Sequence, residues 1–214
     1  MAIFDETGRV EGIAGVLPYQ GEWGDTNYLT LLRLCNNRLV ELAEGHIAIL
    51  PHPTCTHQGI LGNLTCCEEC GLRHYGKGLI VAPFAVRLAE RTFRMPDISL
   101  LFRNYEERQH EWYRDSAELV VEIVNPDDPD LDWITKKSEY AAAGIPEYWI
   151  ADPRDNTLTI FTLDAGATEY RQAGRWGVGE TAASMLLERI SVEVGRVFES
   201  EHVAVKATAH HGID

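Results

Sequence analysis

The stretch that most limits how this chain can fold runs from residue 118 to residue 153, where two apolar segments flank an amphipathic one. The first, ELVVEIV, and the last, EYWIADP, have the length and the β-branched and aromatic content of buried strands, and DLDWITKKSEYAAAG between them has helical spacing. A strand, a helix and a strand in this order predict a crossover connection between neighbouring strands. Further strands predicted at GLIVAPFAVRLAE, PDISLLF and TLTIFTL give an α/β or α+β fold class, with a mixed sheet flanked by helices.

The flanking segments predict smaller elements and the domain limits. The pattern NNRLVELAEGHIAIL alternates apolar residues on both sides of a turn, which predicts a β-hairpin turning near Glu44 and Gly45. The Gly-rich start is weakly patterned and the end is polar and Ala-rich. We therefore expect an N-terminal arm at 1–25, one domain at 26–200 and a flexible C-terminal tail at 201–214.

Composition restricts the partners and the compartment. Across 214 residues, 33 acidic side chains against 19 basic ones give a formal net charge of -14. Such a charge repels nucleic acid at long range, so binding to a polyanion requires a local basic patch or metal ions. The chain has no run of roughly 18 to 20 apolar residues and its start lacks the signal-peptide pattern. We expect a cytoplasmic protein that does not enter the membrane.

Three of the five cysteines, Cys66, Cys67 and Cys70, crowd into the motif CCEEC, inside a helix predicted over residues 56–76. An odd number of cysteines with this crowding is not typical of an extracellular disulfide framework, so we expect reduced thiols. Cys67 and Cys70 have CxxC spacing and His74 follows four residues later. One regular helix rarely provides the geometry of a zinc site, so core or half-buried thiols are the favoured interpretation.

Two carboxylates stand at unusual places in the predicted strands. Glu122 interrupts the apolar run ELVVEIV, where a charge buried without a partner costs several kcal/mol. Asp97 follows Pro96 at the point where the chain enters the strand PDISLLF. Acids at the ends of adjacent strands can converge, and two close carboxylates either share a proton or bind a hard divalent cation such as Mg²⁺.

The predicted helix brings a third kind of group towards these acids. Asp132, Lys136 and Tyr140 recur at i, i+4 and i+8 and therefore form one stripe. If this helix packs beside the strand of Glu122, the Lys136 ammonium reaches the same pocket. An Asp, a Glu and a Lys around a metal suit phosphodiester hydrolysis, because the metal polarises the phosphate and activates water while lysine stabilises the water or the developing charge.

Each of these residues also has an ordinary structural interpretation. Asp97 after a proline is often a turn acid, and Glu122 can pair with an arginine such as Arg87 or Arg94. Lys136 can belong to an exposed ion pair along its helix.

The runs PDISLL, AELVVEIVNP and DWITKKSEYAAAGIPEYWIADP, with RLVELAEGHIAILPHPTCTHQGI upstream, resemble the Uma2 (Uma-two) family of restriction-endonuclease-like proteins. This family is a branch of the PD-(D/E)-x-K nuclease superfamily, and the resemblance covers about residues 26–199. It implies an active site made of Asp97, Glu122 and Lys136. In it, Asp97 and Glu122 would be the ligands of one or two Mg²⁺ or Mn²⁺ ions.

The same resemblance adds candidates around this site. The family lysine stands four residues before the tyrosine of YAxAGI, so Tyr140 selects Lys136 over Lys137. Asp132 and Tyr140, which share the helical stripe of Lys136, are candidates for the pocket. Two upstream matches, Glu41 and His57, are further candidates for the pocket wall; alternatively, His57 is a residue of a capping turn and Glu41 a solvated strand acid.

The resemblance implies a Mg²⁺-dependent endonuclease that acts on DNA as a homodimer, in keeping with the frequency of C2 dimers. The alternative is a non-catalytic dimeric interaction or regulatory protein that keeps the nuclease-like fold, which suits the acidic charge. The chain departs from the family pattern at Asn125-Pro126, where DDPD adds negative charge near the expected phosphate site. A DNA enzyme needs basic residues on its pocket walls. The candidates are Arg87, Arg94, Arg103 and Arg108.

Overall fold

The computed structural model describes residues 3–4, 10–11, 18–34, 39–66, 79–102, 105–108, 110–187 and 190–199. The strands are β1 (Ile3–Phe4), β2 (Val10–Glu11), β3 (Val40–Ala43), β4 (His46–Ile49), β5 (Leu79–Val81), β6 (Val86–Ala89), β7 (Thr92–Arg94), β8 (Ile98–Leu101), β9 (Leu119–Ile123), β10 (Glu147–Asp152), β11 (Thr157–Thr162), β12 (Arg171–Trp176), β13 (Thr181–Ala183) and β14 (Ser191–Glu193). The α-helices are α1 (Asp25–Leu34), α2 (Cys55–Cys66), α3 (Tyr105–Arg108), α4 (Lys137–Ala142) and α5 (Val194–Val197). A π-helical segment, Leu131–Lys136, leads directly into α4.

The larger sheet has six strands in the order β12-β11-β10-β9-β8-β5. Strands β9 and β10 run parallel, with Val120 opposite Tyr148, and the other neighbouring strands of this sheet are antiparallel. The connection from β9 to β10 passes through the π-helical segment and α4, as the order of apolar and amphipathic segments predicts. The expected class, a mixed sheet flanked by helices, is confirmed.

A second sheet has four strands in the order β4-β3-β7-β6. The predicted hairpin is its β3–β4 pair, which turns at Glu44 (φ 48°) and Gly45 (φ 83°). The prediction of one strand over GLIVAPFAVRLAE is wrong, because β5 and β6 belong to different sheets. Pro83 lies in the break between them and has no N–H to donate to a ladder.

Strand β9 is buried on both faces, which explains its nearly uninterrupted apolar sequence. On one face Val121 packs with Ile60 of α2, and on the other Val120 packs with Tyr140 of α4. Because side chains alternate along a strand, Glu122 shares the face of Val120 and points towards α4.

The ends of the chain are described in part. Helix α2 confirms the predicted helix from Cys55 to Cys66, whereas Cys67, Cys70 and the remainder of that prediction lie outside the described residues. Strands β1 and β2 pair with each other in the expected N-terminal arm, and β14 and α5 contribute buried residues to the core that contains α2. The expected C-terminal tail lies outside the described residues. No helix in the described ranges is long and apolar enough to cross a bilayer.

Candidate active site

The two carboxylates singled out in the sequence lie at one end of adjacent strands, Glu122 within β9 and Asp97 directly before β8. Strands β8 and β9 are antiparallel with Ile98 opposite Val121, so Asp97, one residue earlier, is opposite Glu122 on the same face. Asp97 also accepts a hydrogen bond through Oδ2 from the Ile123 N–H at 2.7 Å. The acids therefore converge at one end of two adjacent strands.

The Lys136 side chain lies among these acids. Its Nζ is 3.1 Å from Glu122 Oε2, 3.2 Å from Asp132 Oδ1 and 4.0 Å from Glu41 Oε1. The lysine side chain is 7% exposed, so it is not the exposed helix pair of the alternative interpretation. The structure thus brings Lys136 to the face of the sheet that carries Glu122.

Tyr140 completes the surroundings of Glu122. Its hydroxyl donates to Glu122 Oε1 at 2.5 Å, while Lys136 contacts the other carboxylate oxygen. The partners of Glu122 are therefore these two residues, and not Arg87 or Arg94 as the structural interpretation proposed. The π-helical turn, a form that often occurs at functional sites, carries Lys136 and is followed by the α-helical turn of Tyr140.

Burial and charge shift the protonation equilibria of this cluster. Burial raises the pKa of Glu122 well above its ordinary value; the Lys136 ammonium opposes this, and Asp132 and Asp97 add to it. Burial likewise raises the pKa of Asp132. Burial by itself would lower the pKa of Lys136, but the surrounding carboxylates, Glu122 first among them, raise it well above its ordinary value. Lys136 is therefore a cation at neutral pH.

His57 lies on the partly exposed side of this cluster. Its Nε2 lies 3.1 Å from Asp97 Oδ1, and its backbone N–H donates to Thr54 Oγ1 at 3.2 Å in the first turn of α2. The histidine thus takes part in a capped turn and also contacts the acid. The Asp97 side chain is 19% exposed, whereas Glu122 and Lys136 are nearly inaccessible, so solvent reaches the site beside Asp97.

Glu41 is buried instead of being the solvated strand acid of the alternative interpretation. Its Oε2 accepts from Arg94 Nη1 at 2.7 Å, and its Oε1 accepts from the Met95 N–H at 2.9 Å. Arg94 also donates through Nε and Nη2 to the two carboxylate oxygens of Glu139, at 2.6 and 2.7 Å. No local sequence pattern marks Glu139 as a site residue, whereas Arg94 is among the expected partners of Glu122 and the candidates for phosphate contact.

The arginines expected on the pocket wall are engaged elsewhere. Arg87 and Arg108 form ion pairs with acidic residues at 2.7 and 2.6 Å. Arg94 is buried between two glutamates, and Arg103 lies outside the described residues. The three described arginines therefore do not form the basic surface that the sequence predicts beside the site.

The donor atoms suit a hard divalent cation held by few protein ligands. In the ranges that the structure describes, no group of three His, Cys, Asp or Glu side chains could hold a metal by itself. Mg²⁺ commonly binds through one or two carboxylates and keeps several waters. Asp97 and Glu122 supply such carboxylates, and within the described part of the chain the nearby buried atom His57 Nδ1 lacks a hydrogen-bond partner. Asp97 and Glu122 are therefore the residues of this cluster that could hold a Mg²⁺ or Mn²⁺ ion.

Comparison with known proteins identifies the fold and the family of this chain. A crystal structure of "a putative nuclease belonging to DUF820" from Anabaena variabilis ATCC 29413 is similar to this chain, with a TM-score of 0.60 and 15% sequence identity. The similarity covers 78% of this chain and 94% of that one, and at this identity it shows a shared fold. No curated protein matches this chain. The model of the Uma2 family, described as "Putative restriction endonuclease", matches residues 28–194, and the chain belongs to this family.

Proposed function

We propose that this chain is a metal-dependent nuclease that hydrolyses phosphodiester bonds of DNA, with Asp97, Glu122 and Lys136 as its catalytic residues. The observation that carries the proposal is the position of the Lys136 ammonium, 3.1 Å from Glu122 on the sheet face that Asp97 shares. Membership in a family of nuclease-like proteins supports the reaction class. The proposal includes one or two divalent ions, a homodimer and a cytoplasmic location.

Asp97 and Glu122 would hold Mg²⁺ or Mn²⁺. When bound there, such an ion would supply Lewis-acid stabilisation of the phosphate and activation of a water. Tyr140 orients Glu122 through a hydrogen bond to Oε1, which leaves Oε2 on the side of Lys136. The partial exposure of Asp97 provides the side from which a phosphate can approach.

Lys136 acts in this scheme as a fixed positive charge. The carboxylates around it raise its pKa, so it keeps its proton at neutral pH and does not serve as the general base. A protonated amine at this position can donate a hydrogen bond to the attacking water and stabilise charge that develops on a phosphoryl oxygen. His57 contacts Asp97 and helps to fix the orientation of that carboxylate.

A second function is favoured by the charges around the site. The described arginines that could contact phosphate are paired with acids, the chain carries a net charge of -14, and Asp127 and Asp128 follow β9. These features suit a non-catalytic dimeric interaction or regulatory protein that keeps the nuclease-like fold.

DNA cleavage in the presence and absence of metal separates the two candidates. Purified protein is incubated with supercoiled plasmid and with single-stranded DNA, in Mg²⁺, in Mn²⁺ and in EDTA. We expect nicking or linearisation with metal, none in EDTA, and strong loss of activity in Asp97→Asn and Lys136→Met.

Lys137→Met is the matched control for the lysine variant. Lys137 is the next residue along the helix, and its Nζ lies over the Phe161 ring, 4.8 Å from the ring centroid, away from the acids. This variant should cleave as the wild type does. A folded wild-type protein that cleaves neither DNA with either metal would refute the nuclease proposal and favour the second candidate.

A further inference from the structure

A buried arginine lies at the junction of the elements that carry the site. Arg94 ends β7 and is 4% exposed. It uses three nitrogens on two carboxylates, Nη1 on Glu41 and the pair Nε and Nη2 on Glu139. A bidentate arginine–carboxylate pair fixes orientation as well as distance. Two glutamates on different elements are thus held in one arrangement by one guanidinium.

One side of this arrangement determines where the chain enters β8. Glu41 accepts from Arg94 through Oε2 and from the Met95 N–H through Oε1. These two neighbouring residues stand immediately before Pro96 and Asp97, and the proline restricts the backbone between them and the acid. The position of Asp97 is therefore tied to the Arg94–Glu41 pair.

The other side determines where the helix of the lysine lies. Glu139 stands three residues after Lys136 and directly before Tyr140 in the same helical turn of α4. Its bidentate contact with Arg94 ties that turn to β7. Lys136 and Tyr140 are the two residues that contact the carboxylate of Glu122. A shift of this turn would move both contacts together.

We propose that Arg94 is a positioning residue which, through Glu41 and Glu139, sets the Lys136 ammonium relative to Asp97. Arg94 itself contacts neither substrate nor metal in this scheme. Its effect on turnover rests on the proposed nuclease function, whereas its effect on the placement of Lys136 does not. A misplacement of about 1 Å in a catalytic site can reduce the rate by about 10²-fold, so a loosened turn should be visible in turnover.

Two variants test this role. Glu139→Gln removes the charge of one partner at a half-buried position and leaves the Arg94–Glu41 pair in place, so the protein should fold. Arg94→Lys keeps the positive charge and loses the planar fork that binds two acids. The matched control is Glu118→Gln, which removes the charge from another arginine–glutamate pair, at the opposite end of β9 from Glu122.

The measurements are steady-state kinetics with DNA, and the rate at which an amine-reactive acylating reagent labels Lys136 relative to Lys137, followed by mass spectrometry. In Glu139→Gln and Arg94→Lys we expect kcat to fall by about 10- to 10²-fold with KM changed by less than about twofold. Labelling of Lys136 should become faster in both variants, because the ammonium leaves its buried place. Glu118→Gln should change the melting temperature but should leave both kcat and the labelling rate of Lys136 unchanged.

Unchanged kcat and unchanged Lys136 labelling in Glu139→Gln would overturn the proposal, and so would equal changes in Glu118→Gln. The outcomes for the two proposals can be told apart. A wild-type protein without nuclease activity whose Lys136 labelling still responds to Glu139→Gln refutes the proposed function and supports the positioning role. A wild type that cleaves DNA, with kcat and labelling insensitive to both variants, supports the function and refutes the positioning role.

Discussion

Replacing Glu122 with glutamine distinguishes a metal ligand from a carboxylate needed for the fold. The substitution keeps the side-chain shape and an oxygen that can accept from the Tyr140 hydroxyl. It removes a carboxyl group whose pKa is raised first by burial and then by Asp132 and Asp97, against the opposing effect of the Lys136 ammonium. Lys136 keeps a carboxylate partner, because Asp132 lies 3.2 Å from its Nζ. The metal-free variant should therefore be at least as stable as the wild type at neutral pH.

The pH dependence gives this expectation a magnitude. The folded-state pKa of Glu122 is raised above its unfolded value, so the stability that this group contributes is fully present below the unfolded pKa and is lost as pH rises through the folded pKa. Between those two values the wild type should lose about 1.4 kcal/mol per pH unit from this group, and the glutamine variant should not. For a domain of this size 1 kcal/mol corresponds to about 2 to 4 °C in Tm.

Divalent metal should make the wild type more stable than Glu122→Gln. At a free concentration about 100 times Kd, a bound ion adds about 2.7 kcal/mol to the wild type, or roughly 5 to 11 °C in Tm. Glu122→Gln should lose most of that gain. Because the ion needs the ionised carboxylate, its stabilising effect should also increase with pH.

Thermal melts of both proteins at several pH values between about 5 and 8, with EDTA, Mg²⁺ or Mn²⁺, measure these effects together. If neither ion changes the Tm of the wild type and the variant is less stable at every pH, Glu122 is not a metal ligand. That pattern would identify Glu122 as a structural partner of Lys136.

Three further expectations concern the lysine, the hairpin and the assembly. Lys136→Met should lower turnover by about 10²- to 10³-fold while the metal-induced rise in Tm persists, and equal loss of both would contradict the role given to Lys136. Gly45→Ala should lower the unfolding free energy by more than 1 kcal/mol, about what strained backbone costs, because Gly45 has φ 83° and a Cβ would lie 2.8 Å from the Gly21 carbonyl oxygen. The control is Gly62→Ala in α2, where an added Cβ meets nothing within 4 Å, and it should raise the unfolding free energy by about 0.4 to 1 kcal/mol. Urea unfolding measures both variants. If Gly45→Ala is the more stable of the two, the strain assigned to the hairpin turn is wrong. Light scattering at micromolar concentration should give the mass of a dimer, and a monomer would remove the homodimer from the proposal.

The parts of the fold that depend on local sequence could be predicted. The β3–β4 turn needs two residues with positive φ, and Glu44-Gly45 between alternating apolar residues marks it. The crossover from β9 to β10 follows from the order of two buried strands and one amphipathic segment. The division into two sheets could not be predicted in this way, because the apolar pattern runs through Pro83 with little interruption.

In the candidate site, too, the features that depend on local sequence could be predicted and the long-range contacts could not. The stripe of Asp132, Lys136 and Tyr140 is a local pattern, and in the structure Lys136 and Tyr140 contact Glu122. The π-helical turn was not predictable from it, because a spacing of four residues fits an α-helix as well. The Arg94 contacts were missed because their partners are 53 and 45 residues away, and the packing of one sheet beside the other decides which acid an arginine meets.

A crystal soaked in manganese shows whether Asp97 and Glu122 together bind a divalent metal. An anomalous difference map should show a peak at about 2.0 to 2.6 Å from a carboxylate oxygen of each residue, the range of oxygen ligands around hard cations. The peak should vanish in a soaked crystal of Glu122→Gln. A wild-type map with no peak beside these two carboxylates, or with manganese bound only at other acidic residues, would contradict the claim.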